Sequence, residues 1–306
     1  MPALPVLKQR ALVYKKIRAF FDEISTLEVD TPLLGITTNT DVHIQSIAAR
    51  VCSSTLYLQT SPEFAMKRLL VSGSGSIYQI SHAFRDEEKG LLHHPEFSLL
   101  EWYSLGFDYQ ALMSQVEDLI SRLFEQELSF HKISYFESFH RYLKLDLQLA
   151  SQTECQDCVT QHIPGIDSSL LSWDDCLDLL MSQIVSREFK GFTFLYDYPE
   201  SQASLARIKV GEPHLAERFE LFYNDIELAN GFSELTDAKQ QRLRFLQDNC
   251  KRQQAGLQTY PIDEDFLKAL EQGLPECAGV ALGLDRLIMV MQQVNSIHDV
   301  MTLDTF

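Results

Sequence analysis

Three absences limit what this chain can be. The start, Met1 to Leu4, has no basic stretch followed by an apolar core, so no signal peptide is predicted. No apolar run approaches the roughly 20 residues that cross a bilayer. Positive charge is scarce: 26 Lys and Arg stand against 43 Asp and Glu, a net charge of −17. Such a surface repels a phosphodiester backbone, so tRNA is disfavoured as a partner, although a local basic patch stays open.

Cysteine is scarce as well. Of six cysteines, only Cys155 and Cys158 form a C-x-x-C pair. No second pair or nearby histidine set completes a zinc site, although His162 lies four residues further on. Scattered thiols fit a reducing compartment, so we expect a cytoplasmic protein without a membrane association.

The chain also lacks repeats, low-complexity tracts and long Gly, Pro or Ser linkers. Its 306 residues, 45% hydrophobic, can bury a large core. Periodicity predicts an amphipathic helix over 5–27, whose basic residues fit either a solvated face or an RNA patch. Hairpin-like strands recur and no βαβ alternation is visible. This pattern predicts one α+β domain built on an antiparallel sheet.

The segment Phe84–Tyr103 carries the densest set of functional groups. Arg85 ends one predicted strand, and Phe97, Glu101 and Tyr103 share a face of the next, because strand side chains alternate. A glutamate among apolar and aromatic groups is costly unless a cation meets it. The segment therefore suits a site that handles a phosphate, a base and an amine.

A second group of carboxylates predicts a hairpin. Asn224 and Asp225 can form a two-residue turn, which places Glu220 opposite Ala229 and on the same face as Glu227. Like charges so placed repel unless a cation lies between them. The residues fit either a Mg²⁺ site or an exposed acidic hairpin.

Two further stretches add candidate groups. Asn230 and Glu234 offer an amide and a carboxylate that could receive an amine. Near the C-terminus, Gly283 permits close approach of a ligand, and a helix is predicted to begin near Asp285. Arg286 on its first turn could hold a terminal phosphate or be an ordinary surface arginine.

Together these segments resemble the catalytic domain of class II aminoacyl-tRNA synthetases of the lysyl type. The resemblance covers essentially the whole chain and keeps the order of three motifs: Val29–Pro32 as motif 1, Phe84–Glu101 as motif 2, and Gly283–Arg286 as motif 3. Other segments look closest to the branch of elongation factor P–(R)-β-lysine ligases: Ser61–Glu63, Ser201–Ala206 and Glu227–Phe232.

The resemblance implies a fold and a reaction. The fold is a six-stranded antiparallel sheet with flanking helices, forming one catalytic domain over 1–306 without an N-terminal anticodon-binding domain. A homodimer forms partly through motif 1. ATP and a lysine-type amino acid give an aminoacyl-adenylate and pyrophosphate with Mg²⁺, and the acyl group then passes to a lysine side chain of elongation factor P.

The resemblance also implies roles for individual residues. Arg85 would hold the α-phosphate, and Arg286 and Phe97 would enclose the adenine. The implied ATP contacts are Arg85, Asp86, Glu87, His94, Phe97, Glu227, Leu228, Gly283 and Arg286, with Arg85 and Arg286 catalytic. The implied amino-acid contacts are Ser61, Pro62, Glu63, Glu101, Tyr103, Asn230 and Glu234. Glu220 and Glu227 would carry Mg²⁺.

Three positions depart from the family pattern. Asp86 and His94 stand where the family usually has asparagine. Ala281 stands where lysyl-tRNA synthetases have glycine, which is consistent with a reshaped amino-acid pocket. The choice between α-lysine and (R)-β-lysine stays open, because moving an amine by one carbon is worth only about 1–3 kcal/mol.

Three rival functions are less well supported. A free-standing lysyl-tRNA synthetase needs an anticodon-reading barrel before motif 1, whereas 28 residues precede Val29 here. An inactive regulatory paralogue would lose the motif arginines or the metal carboxylates, which this chain retains. An aspartyl- or asparaginyl-type ligase would need a basic pocket, and Glu101 and Glu234 make this one acidic.

Overall fold

The computed structural model describes residues 4–303, which form helices and strands in alternating groups. The helices are α1 Leu4–Glu23, α2 Glu63–Val71, α3 Tyr109–Phe124, α4 Tyr135–Leu143, α5 Gln152–His162, α6 Trp173–Leu180, α7 Ala238–Gln254, α8 Glu264–Gly273 and α9 Leu284–Gln292. The strands are β1 Leu27–Glu28, β2 Leu34–Gly35, β3 Ala48–Val51, β4 Ser54–Leu58, β5 Ile77–Phe84, β6 Glu96–Leu105, β7 Phe130–Ser134, β8 Phe192–Pro199, β9 Leu215–Tyr223, β10 Ile226–Ser233 and β11 Cys277–Gly283.

The chain divides into two compact units. The second unit is Glu127–Phe232, and the first comprises the described residues on either side of that segment. The main sheet has eight strands, in the order β1-β5-β6-β11 in the first unit and β10-β9-β8-β7 in the second. A small sheet in the first unit has the order β2-β4-β3.

The α+β class agrees with the structure, but the expectation of six antiparallel strands is wrong. The main sheet is mixed, because β1 pairs parallel with β5 and β7 pairs parallel with β8. Two parallel neighbours need a long crossover, and α4, α5 and α6 supply one between β7 and β8. Neither edge strand could be predicted from the sequence pattern. Strand β1 has only two residues, and the central residues of β7 are exposed, so neither strand shows a clear apolar alternation.

One face of the first unit's strands is covered by α1. Phe21 stacks on Tyr78 of β5 with ring centroids 4.2 Å apart and meets Trp102 of β6 edge-on at 5.5 Å. The helix begins near the predicted position but ends at Glu23, because Ser25 has a left-handed φ of 55°. With Trp102 held on this face, alternation directs Glu101 and Tyr103 to the other face of β6.

One basic residue of α1 is neither on a solvated face nor in an RNA patch. Arg10 Nη1 donates to Asp285 Oδ1 at 2.6 Å, and its Nη2 donates to the Ser98 hydroxyl at 2.5 Å. The other oxygen of Asp285 accepts from the Ser98 backbone N–H at 2.6 Å. Asp285 precedes Arg286, so this buried network ties the start of α9 to β6 and α1.

The second unit has its own apolar core between α4, α5, α6 and strands β8 and β9. Its thiols Cys155, Cys158 and Cys176 are buried there as free cysteines, and burial raises the pKa of each. Among residues 4–303, the helices include none that is long and apolar enough to span a bilayer.

The Arg10–Asp285 pair yields a stability prediction. Asp285→Ala leaves the Arg10 guanidinium and the Ser98 N–H without their acceptor, so we expect the free energy of unfolding to fall by about 3 kcal/mol. Urea denaturation measures the change. Glu264→Ala, which removes an exposed partner of Arg242, is the control and should change stability only slightly. Equal effects of the two substitutions would contradict a stabilising role for the buried pair.

Candidate functional site

Three carboxylates and a phenol meet inside the first unit. Glu101 and Tyr103 lie two residues apart on β6, and the Tyr103 hydroxyl donates to Glu101 Oε1 at 2.6 Å. Glu63 opens α2, and its charge acts on both Glu101 and Glu234. Glu101 is 3% exposed and Glu234 is 1% exposed. The structure thus brings together four of the predicted amino-acid contacts.

A lysine that the sequence analysis did not assign to the site lies between two of these carboxylates. Lys67 Nζ is 2.6 Å from Glu63 Oε1 and 2.5 Å from Glu234 Oε2. Its side chain is 1% exposed. The i,i+4 spacing of Glu63 and Lys67 was visible in the sequence, but such pairs are usually solvent-exposed. The contact with Glu234, far along the chain, could not be inferred from local spacing.

The pocket contains more carboxylates than cations. Burial is the main reason that the pKa of Glu101 and of Glu234 rises to about 8, and the charge of Glu63 raises both further. Burial lowers the pKa of Lys67, but Glu234 and Glu63 outweigh it and raise that pKa overall. Three carboxylates against one ammonium leave two negative charges when all are ionised. A cationic ligand would remove this cost.

Two carboxylate oxygens are available to such a ligand. Within residues 4–303, Glu101 Oε2 and Glu234 Oε1 are buried and have no hydrogen-bond partner. Buried acceptors normally have donors, and leaving one unsatisfied costs about 1–3 kcal/mol. An ammonium group has three N–H donors and could satisfy both oxygens.

Gly279 limits the size of the same pocket. It lies on β11 opposite Tyr103. A Cβ added there would lie 2.4 Å from Tyr103 Cε1 and 2.5 Å from Glu234 Oε1. On this strand the sequence-based predictions named Gly283 and Ala281 but not Gly279. The structure places Ala281 opposite Glu101, where it can shape the pocket.

The motif 2 arginine lies at the end of β5. The Arg85 guanidinium carbon is 5.1 Å from the centre of the Phe97 ring, and Nη1 is 3.4 Å from Glu88 Oε1. Its Nε is buried without a hydrogen-bond partner in the described part of the chain. A cation with an unused donor beside a flat ring is a suitable place for a phosphate linked to a base.

The motif 2 loop is joined to motif 3. Arg286 Nε donates to the Leu92 carbonyl at 3.1 Å, and its Nη2 lies 2.8 Å from His93 Nε2. His94 is buried, with Nδ1 2.6 Å from the Glu96 carbonyl oxygen. Arg286 therefore holds the loop from the side of α9.

Other predicted ATP residues occupy the same unit. Asp86 and Glu87 are exposed at the start of the loop, where Asp86 Oδ1 accepts from the Glu87 N–H at 2.9 Å. Gly283 ends β11 opposite Leu99. The Phe97–Arg286 sandwich around an adenine stays a prediction.

Ser61 and Pro62 immediately precede α2. The Ser61 hydroxyl accepts from the Glu63 N–H at 3.2 Å, and Pro62 occupies the N-cap position. These two residues set the first turn, which carries Glu63. Their predicted contact with the amino acid stays a prediction.

The predicted metal carboxylates lie in the second unit. The turn at Asn224 and Asp225 is confirmed, but a bulge after Glu227 places Glu220 opposite Asn230, so the predicted pairing with Ala229 is wrong. The extra residue, Leu228, has no counterpart on β9, and a one-residue bulge leaves no clear mark in a sequence.

Glu220 has a partner that the sequence analysis missed. Arg218 Nη2 donates to Glu220 Oε1 at 2.6 Å, and its Nε donates to Asn230 Oδ1 at 3.3 Å. Burial and then the charge of Glu227 raise the pKa of Glu220 to about 7, against the opposing effect of Arg218. The charge of Glu227 thus acts directly on Glu220.

This donor set suits Mg²⁺ only with further ligands. Among the residues that the structure describes, His, Cys, Asp and Glu form no group of three or more that could hold a metal. Two carboxylates are enough for Mg²⁺ when substrate phosphates and water complete its coordination. Glu220 and Glu227 therefore fit a metal that arrives with a phosphorylated substrate.

Comparison with known proteins agrees with the motifs and the pocket. The family model of class II tRNA synthetases (D, K and N) matches residues 3–304, and the chain belongs to this family. Within it, an elongation factor P–(R)-β-lysine ligase of Proteus mirabilis is 43% identical over 98% of this chain and 95% of its own length. Ligases of the same name from Salmonella dublin and Salmonella paratyphi B are each 41% identical, over 97% of this chain and 94% of theirs.

Gly279 provides a test of the pocket. Gly279→Ala forces a methyl group against Tyr103 and Glu234, which costs about 1–3 kcal/mol in a packed site. We expect binding of lysine-type amino acids, measured by calorimetry, to weaken about tenfold or more. Gly90→Ala is the control, since a Cβ there meets nothing within 4 Å. Wild-type affinity in the Gly279→Ala protein would show that this pocket does not hold the amino acid.

Proposed function

We propose that this protein is an ATP-dependent ligase that activates a lysine-type amino acid as an adenylate and transfers it to a lysine side chain of elongation factor P. The observation that carries the proposal is the convergence of three carboxylates, those of Glu63, Glu101 and Glu234, around the single ammonium group of Lys67. A diamino acid brings two ammonium groups, and its carboxylate is the group that is activated. The names of the relatives supply the acceptor, elongation factor P.

The first step joins the amino-acid carboxylate to the α-phosphate of ATP and releases pyrophosphate. Arg85 would bind the α-phosphate and stabilise the negative charge that develops there. Arg286 would hold the nucleotide from the other side, and Phe97 would stack on its base. Mg²⁺, when bound, neutralises phosphate charge, and Glu220 and Glu227 would hold it.

The second step passes the acyl group to the acceptor amine and releases AMP. The substrate's side-chain ammonium would be held by Glu101, Tyr103 and Glu234 throughout, which fixes the acyl carbon in place. Glu63 and Asn230 would lie nearer the reacting end. The relatives' names favour (R)-β-lysine over α-lysine, and Ala281 opposite Glu101 supports a pocket reshaped for that isomer.

Three features of organisation belong to the same proposal. We propose that the chain acts as one catalytic domain, as a homodimer formed partly through motif 1, and in the cytoplasm. The dimer is supported by the resemblance of Val29–Pro32 to motif 1, which begins beside the edge strand β1, where the Val29 N–H donates to the Tyr78 carbonyl at 2.9 Å.

Adenylate formation can be measured as ATP–pyrophosphate exchange. We expect exchange to require Mg²⁺ and a lysine-type amino acid. Glu101→Gln removes a charge that faces the substrate ammonium, so KM for the amino acid should rise about tenfold or more while KM for ATP changes little. Glu125→Gln, at an exposed glutamate, is the control. Exchange that aspartate stimulates equally would refute the assignment.

The acceptor is tested separately by mass spectrometry. Purified protein, ATP and (R)-β-lysine should add one acyl group to elongation factor P and leave lysine tRNA uncharged. Charging of tRNA at a comparable rate would reverse this assignment.

A further inference from the structure

Lys67 has no assigned role in the reaction, yet it occupies the centre of the amino-acid pocket. Its Nζ bridges Glu63 and Glu234 at 2.6 and 2.5 Å, and the Phe266 ring of α8 lies 5.9 Å away. The side chain is almost completely shielded from water. We expect a lysine in this position to have a functional role, because desolvating an ion pair costs free energy that an apolar residue would avoid.

The bridge divides the carboxylate oxygens into two groups. Lys67 engages Oε1 of Glu63 and Oε2 of Glu234, while Tyr103 engages Oε1 of Glu101. Oε1 of Glu234 and Oε2 of Glu101 stay without partners among residues 4–303. The lysine thus fixes the rotamer of Glu234 and, through its charge, acts on Glu101 as well.

We propose that Lys67 is a positioning residue that aligns Glu234 and Glu101 and favours their ionised forms, so that their remaining oxygens accept the side-chain ammonium of the substrate. This inference rests on the proposed function and adds a specificity determinant to it. A permanent cation lets two glutamates approach each other before the substrate arrives. Without it, each glutamate would hold its proton more tightly, and the substrate ammonium would have to displace that proton at a greater cost.

The charged groups around Lys67 allow its effect to be isolated. It contacts Glu63 of α2 and Glu234 of the segment after β10, and its charge acts on Glu101 of β6, which accepts a hydrogen bond from Tyr103. Arg85 also acts on Glu101, but as a weaker influence than Lys67. Removing the lysine should therefore move the titration of Glu101 and Glu234 to higher pH.

The enzymatic test compares Lys67→Met with Lys67→Arg. For Lys67→Met we expect KM for the amino acid in pyrophosphate exchange to rise at least about tenfold at pH 7. The ratio of this KM to that of wild type should fall toward pH 9, because the glutamates lose their protons there even in the absence of the lysine. KM for ATP should stay within about twofold. Lys67→Arg keeps the charge and should keep the wild-type pH profile, even if its bulk raises KM. Lys132→Met, at an exposed lysine, is the control.

A second measurement needs no turnover and separates this inference from the proposed function. Carbon-13 NMR of the glutamate side-chain carboxyls in the ligand-free protein should show two titrations at higher pH in Lys67→Met than in wild type, and unshifted titrations in Lys67→Arg. If wild type fails to activate lysine but these shifts occur, the proposed substrate is wrong and the charge-setting role stands. Unshifted titrations, or a KM penalty equal at every pH, would overturn the role of Lys67. If Lys67→Met does not fold, a pH profile of Lys67→Arg that differs from wild type overturns it equally.

Discussion

The contact between the Lys67 ammonium and the carboxylates of Glu63 and Glu234 is the interaction on which the site depends. Buried like charges repel strongly, and a single cation between two of them is the condition under which α2, β6 and the segment after β10 can converge. The cation does not cancel the charge completely. The carboxylate oxygens that stay without a partner among residues 4–303, Glu234 Oε1 and Glu101 Oε2, are the part of the pocket that recognises a ligand.

The scaffold around this contact restricts both charge and space. Asp285 joins Arg10 to the Ser98 backbone, which fixes the start of α9 and with it Arg286. Gly279 leaves no room for a side chain beside Tyr103. Strand β6 carries Phe97 of the predicted nucleotide site as well as Glu101 and Tyr103 of the amino-acid pocket, so the geometry of one constrains the other.

Sequence reasoning succeeded where a local pattern decides the structure. Alternation on β6 placed Glu101 and Tyr103 on one face, and Asn224 with Asp225 predicted the two-residue turn. It failed where distant residues decide. The contact of Lys67 with Glu234 joins positions far apart in the chain, and the bulge at Leu228 changes the pairing by one residue. The parallel edge strands were missed because they are short or half-exposed, so that packing rather than pattern forms them.

The central claim is that the pocket's buried carboxylates are ionised by the arrival of an ammonium group. Calorimetry of lysine-type amino acid binding in buffers of different ionisation enthalpy measures the protons exchanged. Since the pKa values of Glu101 and Glu234 are raised to about 8, both are largely protonated at pH 7 in the free protein. Binding at pH 7 should release about one to two protons, and the release should fall toward zero near pH 9. No proton release at pH 7, or proton uptake, would contradict the account.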